Sequence, residues 1–332
     1  MSTAQHPEPL RIGVLGASRI AESAIVGPAN TLGHRLVAVA ARDRGRAEVF
    51  ARKYGVERVV DDYQSLIDDP EVEVIYNPLA NSLHAPWNLA AIAAGKSVLT
   101  EKPFARNAIE AAAVRDAARP DGLVVLEAFH YLFHPMMKRT FELLDAGTIG
   151  DIRNVDIVMG MPEPGPDDPR WRYDLAGGAI MDLGCYGLHL FRMLGRYCGG
   201  APGITGARAL LRDAQVDEAC SISVEYPGGA SGFNTNSMVS GEYEFTCHII
   251  GSDGALFLHD FLGPNRDDRL AVTTTERTTI ENMGTRSTYT YQLEAFAAAV
   301  RDGTPLPIGI DDAIENMGYI DAAYRAAGLD PR

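Results

Sequence analysis

Short apolar runs separated by helix-period stretches organise the first 130 residues of the chain. The strand candidates are Arg11–Leu15, residues 36–41, 59–60 and 72–79, Ser97–Thr100 and residues 123–129. Helices fit between them: one containing Ile20 and Ala21, then residues 47–54, 63–68 and 82–94, and Ala108–Ala118. Gly95 stands where a helix-ending glycine belongs. Strand–helix alternation at this pace predicts the α/β class with a doubly wound parallel sheet.

Near residue 130 the pattern changes. A helix over 134–145 precedes a Pro- and Asp-rich loop, 161–169, expected at the surface. Gly177 and Gly178 then open an apolar helix that runs to Leu194. Residues 204–275 read as successive β-rich runs, broken by turns at Pro227-Gly228-Gly229 and Ser252-Asp253-Gly254, and helices over 291–301 and 312–326 follow. The expected organisation is a cofactor-type domain over 1–129 and an α+β domain over 130–332 with an open, mostly antiparallel sheet. Such a sheet leaves one face bare. A subunit partner is the usual cover.

Composition narrows the partners. A length of 332 residues with 46% apolar and 22% charged side chains suits two well-packed domains. The 44 acidic and 30 basic residues leave a formal charge of −14, which repels phosphate backbones. Nucleic acid and anionic membrane are therefore not expected as partners, although a local basic pocket can still take a nucleotide. Cys185, Cys198, Cys220 and Cys247 form no C-x-x-C pair and no metal-ligand spacing, so no metal is expected. Residues 1–10 are polar and no apolar run approaches the roughly 18 residues of a membrane helix; a reducing, cytoplasmic compartment is expected.

The first strand runs into Gly16-Ala17-Ser18-Arg19-Ile20-Ala21, a G-x-S-x-x-A variant of the dinucleotide fingerprint. Gly16 permits the tight turn, the next backbone N–H groups and the helix N-terminus suit a pyrophosphate, and Ala21 lets helix and strand pack closely. The first domain is thus read as a Rossmann domain. At the end of the second strand, Arg42 suits the 2′-phosphate of NADP(H), whereas the adjacent Asp43 could face the ribose of NAD(H); NADP(H) is favoured.

The strand Ser97–Thr100 leads directly to Glu101-Lys102-Pro103, and a side chain at the carboxyl end of a parallel strand points into the ligand crevice. Lys102 there can act on a substrate or lower a neighbour's proton affinity. On the helix after Gly178, Asp182, Tyr186 and His189 are spaced i, i+4 and i+7, on one face among apolar neighbours. An aspartate and a tyrosine facing a lysine form a proton-transfer unit. Trp171 and Arg172 offer an aromatic lid and a cation, and His84 either lines the cofactor cleft or caps its helix.

Taken in order, Gly16 to Ala21, Asn77-Pro78-Leu79-Ala80-Asn81-Ser82-Leu83-His84, Glu101-Lys102-Pro103 and Gly177-Gly178-Ala179-Ile180-Met181-Asp182-Leu183-Gly184 resemble the Gfo/Idh/MocA oxidoreductases over nearly the whole chain. Where many members carry a histidine four residues after the motif's aspartate, this chain has Tyr186. That departure, with Glu127-Ala128-Phe129-His130-Tyr131, resembles the branch of dimeric dihydrodiol dehydrogenases, xylose dehydrogenases and nucleotide-sugar 3-ketoreductases. The resemblance implies Tyr186 as acid/base, Lys102 as its polariser and Asp182 as a partner of substrate or lysine. Cofactor contacts are expected along Gly16, Ala17, Ser18, Arg19, Ile20, Arg42, Leu79, Asn81, His84, Glu101, Lys102, Trp171 and Arg172. The implied substrate is sugar-like, free or nucleotide-linked, with reduction of a 3-keto sugar favoured over oxidation of an aldose or dihydrodiol, and the implied assembly is a homodimer or homotetramer through the C-terminal sheet. A non-catalytic dinucleotide-binding regulator on the same fold is the alternative of another class.

Overall fold

A computed structural model describes residues 8–118, 122–213 and 215–332; residues 1–7 of the polar N-terminal stretch lie outside it. The first half contains β1 (Arg11–Leu15), α1 (Gly27–Leu32), β2 (Arg35–Ala40), α2 (Arg44–Tyr54), α3 (Tyr63–Ile67), β3 (Val74–Asn77), α4 (His84–Ala93), β4 (Ser97–Thr100), α5 (Ala108–Ala118) and β5 (Val125–Glu127). The five strands are parallel, in the order β2-β1-β3-β4-β5. Helices cover both faces, so the strands are near-continuous apolar runs, as a doubly buried sheet requires. The expected strand at 59–60 shrinks to one parallel bridge, Val39 with Val59, on the outer side of β2. Counted as a strand, it completes the 3-2-1-4-5-6 order of a dinucleotide-binding sheet.

The second half adds α6 (Pro135–Asp145), β6 (Ile152–Gly160), α7 (Cys185–Leu194), β7 (Gly203–Leu211), β8 (Asp217–Glu225), β9 (Ser231–Ser237), β10 (Glu244–Gly251), β11 (Gly254–Leu258), β12 (Arg269–Thr274), β13 (Thr278–Asn282), α8 (Thr288–Asp302) and α9 (Ile310–Ala326). Its eight strands run β13-β12-β11-β10-β6-β9-β8-β7, antiparallel except for β6 with β9. Two strands fall outside the β-rich stretch expected from sequence. β6 sits in the middle of the sheet, where buried Val155, Ile157 and Met159 alternate with half-buried Asn154, Asp156 and Val158. β13 is an edge strand with an exposed Ile280.

The last two helices do not stay with the second sheet. α8 packs on α1, and α9 packs on α5 as well as on α7 and β7, so both halves of the chain share one helical layer. Among the described residues no helix is long and apolar enough to cross a membrane. All four cysteines are buried and free.

Candidate active site

A cleft of about 1650 Å³ runs from the turn after β1 to the helix carrying Tyr186. Gly16, Ala17, Ser18, Arg19, Ile20, Arg42, Leu79, Asn81, His84, Glu101, Lys102, Asp182 and Tyr186 all line it. Gly16 adopts φ +84°, and a Cβ there would lie 2.9 Å from Leu79 Cδ2. The turn is open to glycine alone, which brings the backbone against the cleft. The Ser18 hydroxyl is shielded and has no partner among the described residues, which leaves a buried donor for a ligand oxygen. Arg42 shares this end with Arg46, one helical turn on, whose guanidinium donates to Ala17 O at 3.0 Å. Sequence reading missed Arg46, although the i, i+4 spacing on one helix start was visible. Asp43 is engaged as the N-cap of α2, accepting from Arg46 N at 3.2 Å. A shielded hydroxyl, a glycine-only turn and two cations at the far end fit a phosphorylated dinucleotide.

At the other end, Lys102 follows β4, and its peptide bond to Pro103 is cis. Its ammonium donates to Asp182 Oδ1 and to the Asp182 carbonyl, both at 2.8 Å, and lies 5.0 Å from the centre of the Tyr186 ring. Burial alone would lower the lysine's pKa; the Asp182 carboxylate more than offsets this and holds it above the ordinary value. Asp182 also accepts from Arg170 Nε at 2.7 Å, and with Arg170 and Lys102 outweighing burial its pKa is lowered. Arg170 continues to Asp168, which meets Arg19 of the fingerprint turn at 2.6 Å. Alternating charges thus join the cofactor turn to the lysine.

Two expectations change here. Trp171 and Arg172 do not line the cleft. Trp171 is buried, donates to Pro164 O at 3.2 Å and carries the Arg212 guanidinium 4.1 Å over its ring. Arg172 is exposed and paired with Asp174. The cation of this segment is Arg170, two residues earlier, because the short turn at Pro169–Trp171 aims that side chain inward. The loop 161–169 stays largely at the surface as expected, is anchored by buried Asp168 and forms a wall of the cleft.

The expected stripe of Asp182, Tyr186 and His189 also splits. A π-helical turn, Ile180–Gly184, precedes α7, and its wider turn rotates His189 away from Asp182. His189 is fully buried outside the cleft, contacting Tyr131 Oη at 2.7 Å and Asp312 at 3.0 Å. The turn itself depends on Gly178 (φ +128°), where a Cβ would stand 2.1 Å from Asp217 Oδ1. Asp217 accepts from Ile180 N at 2.6 Å and so fixes the start of the helix.

Tyr186 also differs from expectation. Its hydroxyl meets His130 Nε2 at 3.1 Å, not Lys102, and burial, with Tyr289 and Glu101, raises its pKa well above the ordinary phenol value. Lys102 lies over the tyrosine's ring rather than at its hydroxyl, and burial keeps the phenol protonated. His130 stood in the Glu127-Ala128-Phe129-His130-Tyr131 stretch that resembles the branch, with no role assigned to it. His84 lies between Pro103 O (2.7 Å) and Leu79 O (2.8 Å), bracing the lysine turn rather than capping a helix. Burial, countered by those two carbonyls, lowers its pKa to about 4, so the ring is neutral with one N–H to give. Glu101 is buried and accepts from Tyr76 Oη at 2.9 Å, and Asn81 donates to Ala176 O at 2.8 Å across the cleft.

Glu127, at the end of β5, is 3% exposed, and its carboxyl oxygens have no side-chain hydrogen-bond partner among the described residues, with the Phe104 backbone beside them. Burial, reinforced by Asp312, raises its pKa well above that of a free carboxylate. Its contribution to stability is complete below about pH 4.5 and is lost as pH rises toward the folded-state value. Glu127→Gln is expected to raise Tm by about 2–4 °C at pH 8 and by little at pH 4.5, read by scanning calorimetry. An equal shift at both pH values would mean that the carboxyl is not protonated in the folded protein.

Fold, fingerprint turn and lysine site together define a dinucleotide-dependent oxidoreductase, and the chain belongs to the Gfo/Idh/MocA family. Residues 10–129 match the oxidoreductase family with an NAD-binding Rossmann fold, and residues 137–257 match the GFO/IDH/MocA C-terminal domain. The chain is similar to the D-xylose 1-dehydrogenase (NADP(+)) 2 of Haloferax volcanii, with 32% identity over 321 residues, 96% of this chain and 97% of that one. It is 34% identical to the trans-1,2-dihydrobenzene-1,2-diol dehydrogenase of Mus musculus over 258 residues, 77% of this chain and 76% of that one. Among solved structures it is similar to KijD10, a 3-ketoreductase from Actinomadura kijaniata in complex with NADP and TDP-benzene. The TM-score is 0.87 at 28% identity, covering 96% and 98% of the two chains.

Proposed function

We propose that this protein is an NADP(H)-dependent oxidoreductase acting on a carbonyl or secondary alcohol of a sugar-like substrate, and that it reduces a nucleotide-linked 3-keto sugar. The observation that carries the chemistry is the Lys102–Asp182–Tyr186 cluster at the end of the cleft remote from Arg42 and Arg46. Gly16 to Ile20 and Arg42 with Arg46 would hold the dinucleotide; when bound, its nicotinamide supplies or takes the hydride. Asp182 and Arg170 hold the Lys102 ammonium where negative charge grows on the substrate oxygen. Tyr186 then gives that oxygen its proton.

Two features favour a nucleotide-linked substrate. The cleft exceeds the roughly 300–1,000 Å³ of a single-ligand pocket, leaving space beside a dinucleotide. Its lining includes Arg266, over Tyr243 and Phe245 and paired with Asp260, and Arg286, paired with Glu294, cations whose remaining N–H groups suit phosphate oxygens. The likeness to KijD10 supports the same reading. Similarity to the xylose dehydrogenase over almost the full chain favours a second reading, oxidation of a free aldose.

The deciding assay follows NADPH oxidation with a TDP-linked 3-keto sugar and NADP reduction with xylose. Faster turnover of the TDP-sugar, lost with Arg266→Ala, supports the first reading; turnover of xylose alone replaces it with the second. Arg42→Ala combined with Arg46→Ala is expected to weaken NADPH binding by roughly 10- to 100-fold while leaving NADH within a few-fold, measured by nicotinamide fluorescence. An unchanged NADPH/NADH ratio removes the two arginines from the cofactor site. Phe233, 44% exposed on the open face of the second sheet, supports a second copy as its cover, which light scattering would read as a dimer or larger assembly.

A further inference from the structure

His130 is a buried histidine that the mechanism above leaves without a task. It follows β5 by three residues and is 3% exposed. Its Nε2 lies 3.1 Å from Tyr186 Oη, its Nδ1 lies 2.8 Å from Thr288 Oγ1, and its ring centre is 4.0 Å from that of Tyr289. Among the described residues it is the sole hydrogen-bond partner of the Tyr186 hydroxyl. The groups facing it are Tyr186 from α7 and Thr288 and Tyr289 from α8, with Lys102 and Arg266 as the nearby charges.

We propose that His130 positions the Tyr186 hydroxyl for proton transfer by donating Nε2–H to the phenolic oxygen, an inference that rests on Tyr186 being the acid. Thr288 fixes the tautomer by donating its hydroxyl hydrogen to Nδ1. In this arrangement the phenol hydrogen is free to face the substrate. When the Tyr186 O–H bond breaks and its proton passes to the substrate oxygen, the phenolate left behind keeps the imidazole N–H as donor. Burial, with the charges of Lys102 and Arg266, holds the imidazole's pKa at about 3, so the ring stays neutral at working pH and adds no charge to the site. Thr288 heads α8, so a helix on the substrate side of the cleft sets the geometry of an acid carried by α7.

His130→Phe keeps the ring contact with Tyr289 and removes both nitrogens. It is expected to lower kcat by roughly 10- to 100-fold with the binding of NADPH unchanged. In the oxidative direction, the limb of kcat that reports Tyr186 should move to higher pH, because the phenolate has lost its donor. His130→Gln, whose amide N–H can reach the same oxygen, should recover part of kcat and return the limb. Thr288→Val should move both readouts the same way by a smaller amount. A His130→Phe enzyme with wild-type kcat and an unmoved or lowered limb overturns the proposal, as does lost activity with an unmoved limb. Tyr186→Phe measured alongside separates the two claims: if that variant keeps full activity the acid assignment fails, and if only His130→Phe does, the positioning role fails.

Discussion

Lys102→Met is expected to lower kcat for the reductive reaction by about 10²–10³-fold while the affinity for NADPH stays within a few-fold of the parent. The ammonium lies over the Tyr186 ring and is held there by hydrogen bonds to Asp182, and methionine keeps its length while removing its charge. A thousandfold loss corresponds to about 4 kcal/mol of transition-state stabilisation, within reach of one preorganised donor in a shielded site. The fold should survive, because Asp182 retains Arg170 as a partner and is not left as a bare buried charge. Since Asp182 holds the lysine's pKa above its ordinary value, kcat should carry no limb from Lys102 loss of charge between about pH 6 and 9. Stopped-flow or steady-state loss of NADPH absorbance reads the rate and fluorescence titration reads the binding. A methionine variant with parental kcat would remove Lys102 from the chemistry.

Tyr186→Phe is the second large effect, a fall in kcat of about 10²–10⁴-fold with KM nearly unchanged. The phenyl ring keeps its contacts with Phe129 and Tyr131, so the change isolates the hydroxyl. It also leaves His130 Nε2 without its partner, at a cost of about 1–3 kcal/mol in stability, visible as a lowered Tm. In the parent enzyme burial keeps the phenol protonated, so reduction should run at constant kcat through neutral pH and fall only above about pH 10. A fall that begins near pH 7 would mean that a different group supplies the proton. Tight NADPH binding without turnover of either substrate class, in the parent protein, would bring back the regulator reading.

Most of the fold was legible because its signals are local. Parallel strands buried on two faces must be apolar runs, and each such run of the first half is a strand or, at Val59, a single bridge. Glycines at turns, such as Gly16 and Gly178, carried their meaning in the same way. β6 was passed over because its alternation is interrupted by Arg153-Asn154 and by the apolar pair Val158-Met159, and because its parallel partner β9 lies more than 70 residues away. The stripe on α7 failed for a different reason. A 3.6-residue period was assumed, whereas the helix opens with a π-helical turn that no residue type announces.

What the sequence by itself determined was a set of groups that line the cleft: a glycine turn, a lysine at the end of a parallel strand, and an aspartate and tyrosine one turn apart. These follow from covalent spacing within single elements, and spacing within an element survives folding. Tertiary structure decided how those groups are coupled. It set Lys102 against Asp182 rather than against the tyrosine's hydroxyl, turned Arg170 inward and Arg172 outward, and placed His130 and Thr288 around Tyr186. Residues 102, 130, 186 and 288 come from four separate parts of the chain, and no local pattern carries the distance between them. The proton affinities at the site follow from that packing, because burial and neighbouring charge, more than residue type, set whether each group holds its proton.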